Sequence, residues 1–170
     1  MNQLADLLSP GRVSYCGTVS SKKRALELIS ELMVSEDIGL SASEVFASLI
    51  ERERLGSTGL GHGAAIPHGR LKGLDHAVCA FLKIGQGVAY EASDGKPVNM
   101  ICGLLVPQQS TTEHLNILAL LAEMFSDSRF CARIHEARTG KEIYDLLVSW
   151  RPAADAASLE KAEKATGSSA

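Results

Sequence analysis

Apolar residues recur at helical spacing twice in the first third of the chain and predict two amphipathic helices. The first helix follows a cap at Ser20 or Ser21. The second opens with the capping box Ser41-x-x-Glu44 and stops at Gly56. Their apolar stripes consist of Ala25, Leu26, Ile29, Leu32 and Met33 in the first helix, and of Val45, Phe46, Leu49 and Ile50 in the second.

Two later runs, residues 77–84 and 98–106, are almost continuously apolar and predict strands that are buried on both faces. Asp94-Gly95 lies between them and predicts a hairpin turn, so the two strands form an antiparallel pair at the centre of a sheet. A further, edge-like strand follows a short lead-in over residues 1–11. Its alternating residues are Val13, Tyr15 and Val19.

The last third of the chain predicts three more helices. Ser110-x-x-Glu113 forms a capping box before a segment that is apolar on nearly every side, which indicates a deeply buried helix. The apolar residues of this helix are Leu115, Ile117, Leu118, Leu120, Leu121, Met124 and Phe125. The other two helices cover residues 128–137 and, after the capping box Thr139-x-x-Glu142, the residues up to Trp150.

The order of these elements predicts the architecture. Helices come before and after the buried strands, and such strands need cover on both faces. We therefore expect an α/β fold with a single domain over residues 5–150, a three-layer α/β/α sandwich around a mixed sheet. Residues 151–170 lack apolar periodicity and predict a flexible C-terminal tail.

Charge and cysteine content narrow the function. The chain has 170 residues and a formal net charge of −3, and it contains no basic run, which argues against a nucleic-acid partner. No apolar stretch approaches the roughly 20 residues that span a bilayer, and the N-terminus lacks the pattern of a secretory signal. We expect a cytoplasmic protein without membrane insertion. The 4 cysteines form no CxxC, so neither a zinc site nor a redox motif is indicated. We expect no metal and no cofactor.

The segment 56–70, GSTGLGHGAAIPHGR, contains the candidate chemistry. Its glycines permit positive φ and close approach of the backbone, which predicts a loop. His68 stands between Pro67 and Gly69, and a neutral imidazole with a pKa near 6.5 has a free nitrogen that can accept a phosphoryl group. From these residues alone, a glycine-rich surface loop with a solvated histidine is an equal alternative.

A phosphoryl group on His68 needs hydrogen-bond donors and positive charge around its oxygens. Candidate donors in the segment are the backbone N–H groups of Gly61, Gly63 and Gly69 and the hydroxyls of Ser57 and Thr58. Candidate cations are Arg52 and Arg54, whose alternative role is charge compensation at a helix C-terminus. His114 lies in the first turn of a predicted helix, where anions bind favourably, although a polar residue at a helix entry needs no such role.

The remaining histidines are weaker candidates for a catalytic or metal-binding role. His62, His68 and His76 are spaced too irregularly for a recognised zinc site. His76 and His135 are interpreted as ordinary surface or boundary residues, and the role of His62 stays open.

Four stretches together resemble a known family, and they span roughly residues 5–150. These are SKKRALELISEL, ERERLGSTGLGHGAAIPHGR, DGKPVNMICGLLVP and EHLNILALLAEMF. They are similar to the type-2 enzyme IIA domains of the phosphoenolpyruvate-dependent sugar phosphotransferase system, above all to the nitrogen-regulatory branch. The family accepts a phosphoryl group on the histidine of its PHG motif, which corresponds to His68. The resemblance assigns supporting roles to His114 and to Arg52 rather than Arg54. His62 departs from the family pattern and would add a third imidazole near the site.

This resemblance implies a regulatory phosphocarrier rather than a stand-alone turnover enzyme. The donor would be a histidine-phosphorylated carrier of the HPr type, and the targets would be potassium-transport or sensor-kinase proteins. Two alternatives stay open. One is a sugar-specific IIA component that passes phosphate onward for fructose or mannitol uptake, and the other is a non-catalytic module that binds a small anion.

Overall fold

The computed structural model describes residues 4–153. Its helices are α1 (Leu4–Leu7), α2 (Lys22–Met33), α3 (Ala42–Glu53), α4 (Thr112–Ser126), α5 (Ser128–Glu136) and α6 (Gly140–Ser149), and a 3-10 turn covers Pro10–Arg12. Its strands are β1 (Val13–Cys16), β2 (Gly59–Gly61), β3 (Ala64–Ala65), β4 (His68–Leu71), β5 (Val78–Val88) and β6 (Val98–Pro107). Most of the tail predicted at 151–170 lies outside the described residues. No helix among those described is long and apolar enough to cross a membrane.

The strands form one mixed sheet in the order β1-β5-β6-β3-β2, and β4 also pairs with β6. The central pair, β5 and β6, is antiparallel and aligns Phe81 with Cys102, as the two apolar runs predict. The predicted edge strand is confirmed as β1, which pairs in parallel with β5, but it ends at Cys16 and does not include Val19. The connection between β5 and β6 is longer than a two-residue hairpin, and Asp94-Gly95 lies in a turn within it.

Alternate residues of the central strands face two separate cores, which produces three layers. Cys79 and Phe81 of β5 pack in the core that α4, α5 and α6 cover. Ala80 and Leu82 pack in the core that α2 and α3 cover on the opposite face. The predicted α/β/α sandwich is therefore confirmed, and the continuous apolar runs reflect burial on both faces.

Three of the predicted helix caps form and one does not. The side chains of Ser21, Ser41 and Thr139 each accept a hydrogen bond from a backbone N–H of the first turn. The capping box at Ser110 is wrong, because the N-cap of α4 is Thr111, which makes no side-chain cap bond. The Ser110 hydroxyl is buried without a hydrogen-bond partner in the described part of the chain.

The expectation of a deeply buried α4 is also wrong. Ile117 and Leu121 are fully buried, but Leu115 is 65% exposed and Leu118 only partly buried. The helix covers one face of the sheet as a single outer layer, so its second apolar side faces outward. This places exposed apolar surface directly after His114.

The glycine-rich segment is not a loop, because it supplies the three short strands β2, β3 and β4. Both β3 and β4 run parallel to β6, and His68 at the start of β4 aligns with Leu104. Glycine at position 69 permits a close approach to α3, because a Cβ atom there would meet the Ser48 hydroxyl. The sheet and α3 thus fix the backbone on which His68 stands.

Candidate functional site

His68 is held in one tautomer by the backbone. Its Nδ1 atom lies 2.8 Å from the Ile66 carbonyl oxygen. A carbonyl only accepts, so Nδ1 carries the proton and donates it to this bond. The lone pair of the neutral ring is therefore on Nε2, and the half-buried ring lines two clefts.

The surroundings of His68 favour the neutral, nucleophilic form of its ring. Burial lowers the pKa of His68 below the ordinary 6.5, and the Arg52 guanidinium lowers it further. The hydrogen bond to Ile66 and the carboxylate of Glu53 act in the opposite direction without reversing the shift. At neutral pH the Nε2 lone pair is therefore available.

The second imidazole of the site is His114, which is buried in the first turn of α4. Its ring meets His68 edge to face, with ring centroids 5.3 Å apart. The Arg70 Nε atom donates to His114 Nδ1 over 3.3 Å. His114 Nε2 is buried and has no hydrogen-bond partner among the described residues. Burial, then the charges of His68 and Arg70, lower the pKa of His114.

Arg52 lies at the C-terminal end of α3 and lines both clefts together with His68. One cleft has a volume of about 340 Å³ and the other about 600 Å³. The Arg52 Nη1 atom donates to the Gly56 carbonyl over 2.8 Å, which holds the guanidinium over the start of the glycine-rich segment. Arg54 is exposed and lines neither cleft, so the two arginines occupy different environments.

A buried polar network supports the segment from behind, and sequence reasoning missed it. The Glu53 carboxylate accepts from the Thr58 backbone N–H over 2.8 Å and from the Thr58 hydroxyl over 2.6 Å. Lys22 pairs with the same carboxylate over 2.8 Å, and its ammonium lies over the Tyr90 ring. Burial and the Glu53 charge raise the pKa of Tyr90. The only signal in the sequence was an acidic residue between the two arginines of ERER.

The predicted phosphate donors are therefore only partly gathered around His68. Ser57 and Thr58 line the smaller cleft, but the Ser57 hydroxyl donates to the Tyr90 carbonyl and the Thr58 donors point to Glu53. Gly69 lines the larger cleft. Gly61 at the end of β2 and Gly63 in the turn before β3 both have positive φ, and neither lines a cleft that contains His68.

The other histidines lie away from this pair of clefts. His62 lines a separate cavity of about 370 Å³ that also contains His135, so it is not a third imidazole of the His68 site. His135 and His76 are both exposed, as expected from the sequence. Within residues 4–153 no group of three His, Cys, Asp or Glu residues is arranged to hold a metal ion.

The site thus combines a nucleophilic nitrogen with two guanidinium groups and an unpartnered imidazole N–H. Positive charge and hydrogen-bond donors stabilise an anion such as a phosphoryl group. Sequence reasoning missed Arg70, although its position directly after the His68-Gly69 pair was visible. Among the residues that line the two clefts, Glu51 is the one with a carboxylate, and it lines the larger cleft.

Comparison with known proteins identifies the class to which this fold and site belong. A family model described as phosphoenolpyruvate-dependent sugar phosphotransferase system, EIIA 2, matches residues 6–150. The chain therefore belongs to this EIIA type-2 family, and the resemblance read from the sequence is confirmed.

Several of its relatives within the family are nitrogen regulatory proteins. The chain is 42% identical over 128 residues to the one from Klebsiella oxytoca, covering 75% of this chain and 78% of the relative. It is 39% identical over 148 residues to the one from Pseudomonas aeruginosa, covering 87% and 96%. The crystal structure of nitrogen regulatory protein IIA-Ntr from Neisseria meningitidis superposes with a TM-score of 0.78 at 39% identity, covering 85% of this chain and 98% of the other.

Proposed function

We propose that this protein is a phosphocarrier that accepts a phosphoryl group on His68 Nε2. The observation that carries the proposal is the hydrogen bond from His68 Nδ1 to the Ile66 carbonyl, which leaves the lone pair on Nε2. The second support is the cationic and N–H-bearing surroundings formed by Arg52, Arg70 and His114. Family membership makes a phosphorylated donor the natural source of the group.

The transfer step needs no metal and no acid from this chain. The Nε2 lone pair of His68 forms a bond to phosphorus while the N–P bond of the donor phosphohistidine breaks. The electron pair of that bond returns to the donor imidazole. The Nδ1 proton of His68 stays on the ring and remains bonded to Ile66. Arg52 and the N–H of His114 stabilise the phosphoryl oxygens during the transfer, since positioning and charge carry most of this catalysis.

The donor we propose is an HPr-like carrier in the cytoplasm. The phosphorylated and free forms of the protein would then regulate target proteins. The relatives of about 40% identity are nitrogen regulatory proteins, which favours this role over that of a sugar-specific component. A phosphoryl group adds about −1.5 to −2 charges near neutral pH. Target proteins, by family resemblance a potassium transporter or a sensor kinase, would distinguish the two states at residues 52–70 and 111–116.

Two experiments test the proposal. Incubation with the general phosphotransferase components and labelled phosphoenolpyruvate should give acid-labile label on the wild type and none on His68→Ala. An unlabelled wild type would leave the anion-binding module as the better account.

Pull-downs with wild type, His68→Ala and the charge mimic His68→Asp should recover different partners. Equal recovery by all three would mean that the protein is a relay without a switch.

A further inference from the structure

We propose that Arg70 is a positioning residue that holds His114 in the tautomer with its proton on Nε2. The inference deepens the proposed function and rests on it, because it explains how His114 serves a phosphoryl group on His68. It assigns a task to a side chain that the sequence had not singled out.

The chemistry of the two side chains fixes the direction of their hydrogen bond. A guanidinium group has five N–H donors and no acceptor. The 3.3 Å contact from Arg70 Nε to His114 Nδ1 is therefore a hydrogen bond only if Nδ1 offers its lone pair. A neutral imidazole with a lone pair on Nδ1 carries its proton on Nε2. Arg70 thus selects one of the two neutral tautomers.

The surroundings of His114 maintain its neutral form. The ring is buried at the N-terminal turn of α4, where the helix dipole disfavours a positive charge. His68 and Arg70 are the charged or titratable groups that act on it, and both lower its pKa. The ring therefore remains a neutral group with one donor and one acceptor.

The selected proton is located where a phosphoryl group would need it. His114 Nε2 is buried and unpartnered within the described residues, and its ring lies against His68. A buried N–H without a partner is energetically unfavourable. A phosphoryl oxygen on His68 would supply that partner. With the other tautomer, an Nε2 lone pair would face the anion and repel it.

The backbone of β4 provides the geometry for this contact. His68 and Arg70 both lie on this strand, and its pairing with β6 sets Arg70 opposite Val106. Residues two apart on a strand point to the same face. Arg70 and His68 can therefore both reach His114, while the Arg70 side chain stays exposed at the edge of the larger cleft.

The direct test is the tautomer of His114 in the unphosphorylated protein, measured from imidazole ¹⁵N shifts and long-range ¹H–¹⁵N couplings. Wild type and the matched control Arg54→Met should show the Nε2–H form. Arg70→Met should shift a measurable fraction to the Nδ1–H form, and Arg70→Lys, which keeps a charged donor, should restore the wild-type pattern in part. An unchanged tautomer in Arg70→Met would overturn the inference.

Transfer rates provide a second, independent readout. Arg70→Met should slow phosphoryl acceptance roughly tenfold, the effect of one hydrogen bond to a charged group. In His114→Gln, whose amide offers N–H without a tautomer, the same substitution should have little further effect. An equal loss in both backgrounds would mean that Arg70 acts on the phosphoryl group directly. The tautomer measurement needs no phosphorylation, so failure of the proposed function and failure of this inference are distinguishable.

Discussion

The imidazole rings of His68 and His114 meet edge to face, with centroids 5.3 Å apart and an interplanar angle of 73°. One ring has a free Nε2 lone pair because the Ile66 carbonyl binds its Nδ1 proton. The other has a free Nε2 proton because Arg70 occupies its Nδ1 lone pair. The two histidines are therefore complementary, one suited to attack phosphorus and the other to bind a phosphoryl oxygen.

Replacement of Arg52 should slow phosphoryl transfer far more than replacement of Arg54. Arg52 lines both clefts with His68, and loss of such a charge should reduce the rate about 10²-fold or more. Arg54→Ala should be nearly neutral, because this exposed side chain lines neither cleft. Single-turnover transfer from the phosphorylated donor measures both rates. Equal rates for Arg52→Ala and wild type would contradict the assignment.

The pH dependence of acceptance should reflect the lowered pKa of His68. Only the neutral ring attacks, so the rate should be highest well above the lowered pKa and fall as pH decreases through it. Arg52→Ala should raise this pKa, because the guanidinium charge contributes to lowering it. An NMR titration of the free protein gives both values. A wild-type pKa at or above 6.5 would refute this expectation.

The same shift has a stability consequence with a defined sign. Between the lowered pKa and 6.5, the unfolded chain binds a proton at His68 that the folded protein does not. The contribution of His68 to the free energy of unfolding therefore increases with pH in this window. His68→Ala should weaken this dependence in denaturant titrations at several pH values.

Removal of the Glu53 carboxylate should destabilise the fold. Glu53→Ala leaves the Lys22 ammonium and the Thr58 donors without their buried partner. We expect the free energy of unfolding to decrease by about 3 kcal/mol, the typical cost of breaking a buried ion pair. Glu123→Ala, an exposed change on α4, should stay within about 0.5 kcal/mol of wild type. Urea unfolding compares them, and equal losses would mean that the network contributes little.

The exposed apolar side of α4 should contribute to donor docking. Leu115 directly follows His114 and is 65% exposed, so a docked carrier would bury it. Leu115→Ser should raise the apparent Kd for the phosphorylated donor in single-turnover transfer several-fold, since a buried leucine contributes about 1.5–3 kcal/mol at most, and leave the maximal transfer rate unchanged. The control is Tyr15→Ser, an exposed residue on the edge strand β1. A change in the maximal transfer rate without a change in the apparent Kd would contradict a docking role.

The fold was largely predictable from periodicity. The runs at 77–84 and 98–106 were continuously apolar because both faces of β5 and β6 are covered, and this pattern is visible in the sequence. The glycine-rich segment was misinterpreted as a loop. Its strands contain two to four residues each. Two of them, β3 and β4, acquire strand geometry from pairing with β6, which is a long-range interaction that local propensity does not encode.

The sequence allowed the two histidines of the candidate site to be named, but it did not show which partners the neighbouring polar groups bind. His68 and His114 lie far apart in sequence, and the family motifs rather than spacing associated them. Thr58 has the residue type of a phosphate donor, but Glu53 takes up both its N–H and its hydroxyl. Which partner a polar group selects depends on the three-dimensional arrangement. For the same reason the role of Arg70 became evident only from its contact with His114.

The most direct test of the central claim is the position of the phosphoryl group after reaction with the phosphorylated donor. Phosphorus–nitrogen couplings in ¹⁵N-histidine-labelled protein identify the nitrogen, and tandem mass spectrometry identifies the residue. We predict phosphorus on Nε2 of His68, no label on His68→Ala, and slow residual labelling of His114→Ala. Phosphorus on His68 Nδ1 or on His114, or normal labelling of His68→Ala, would contradict the account.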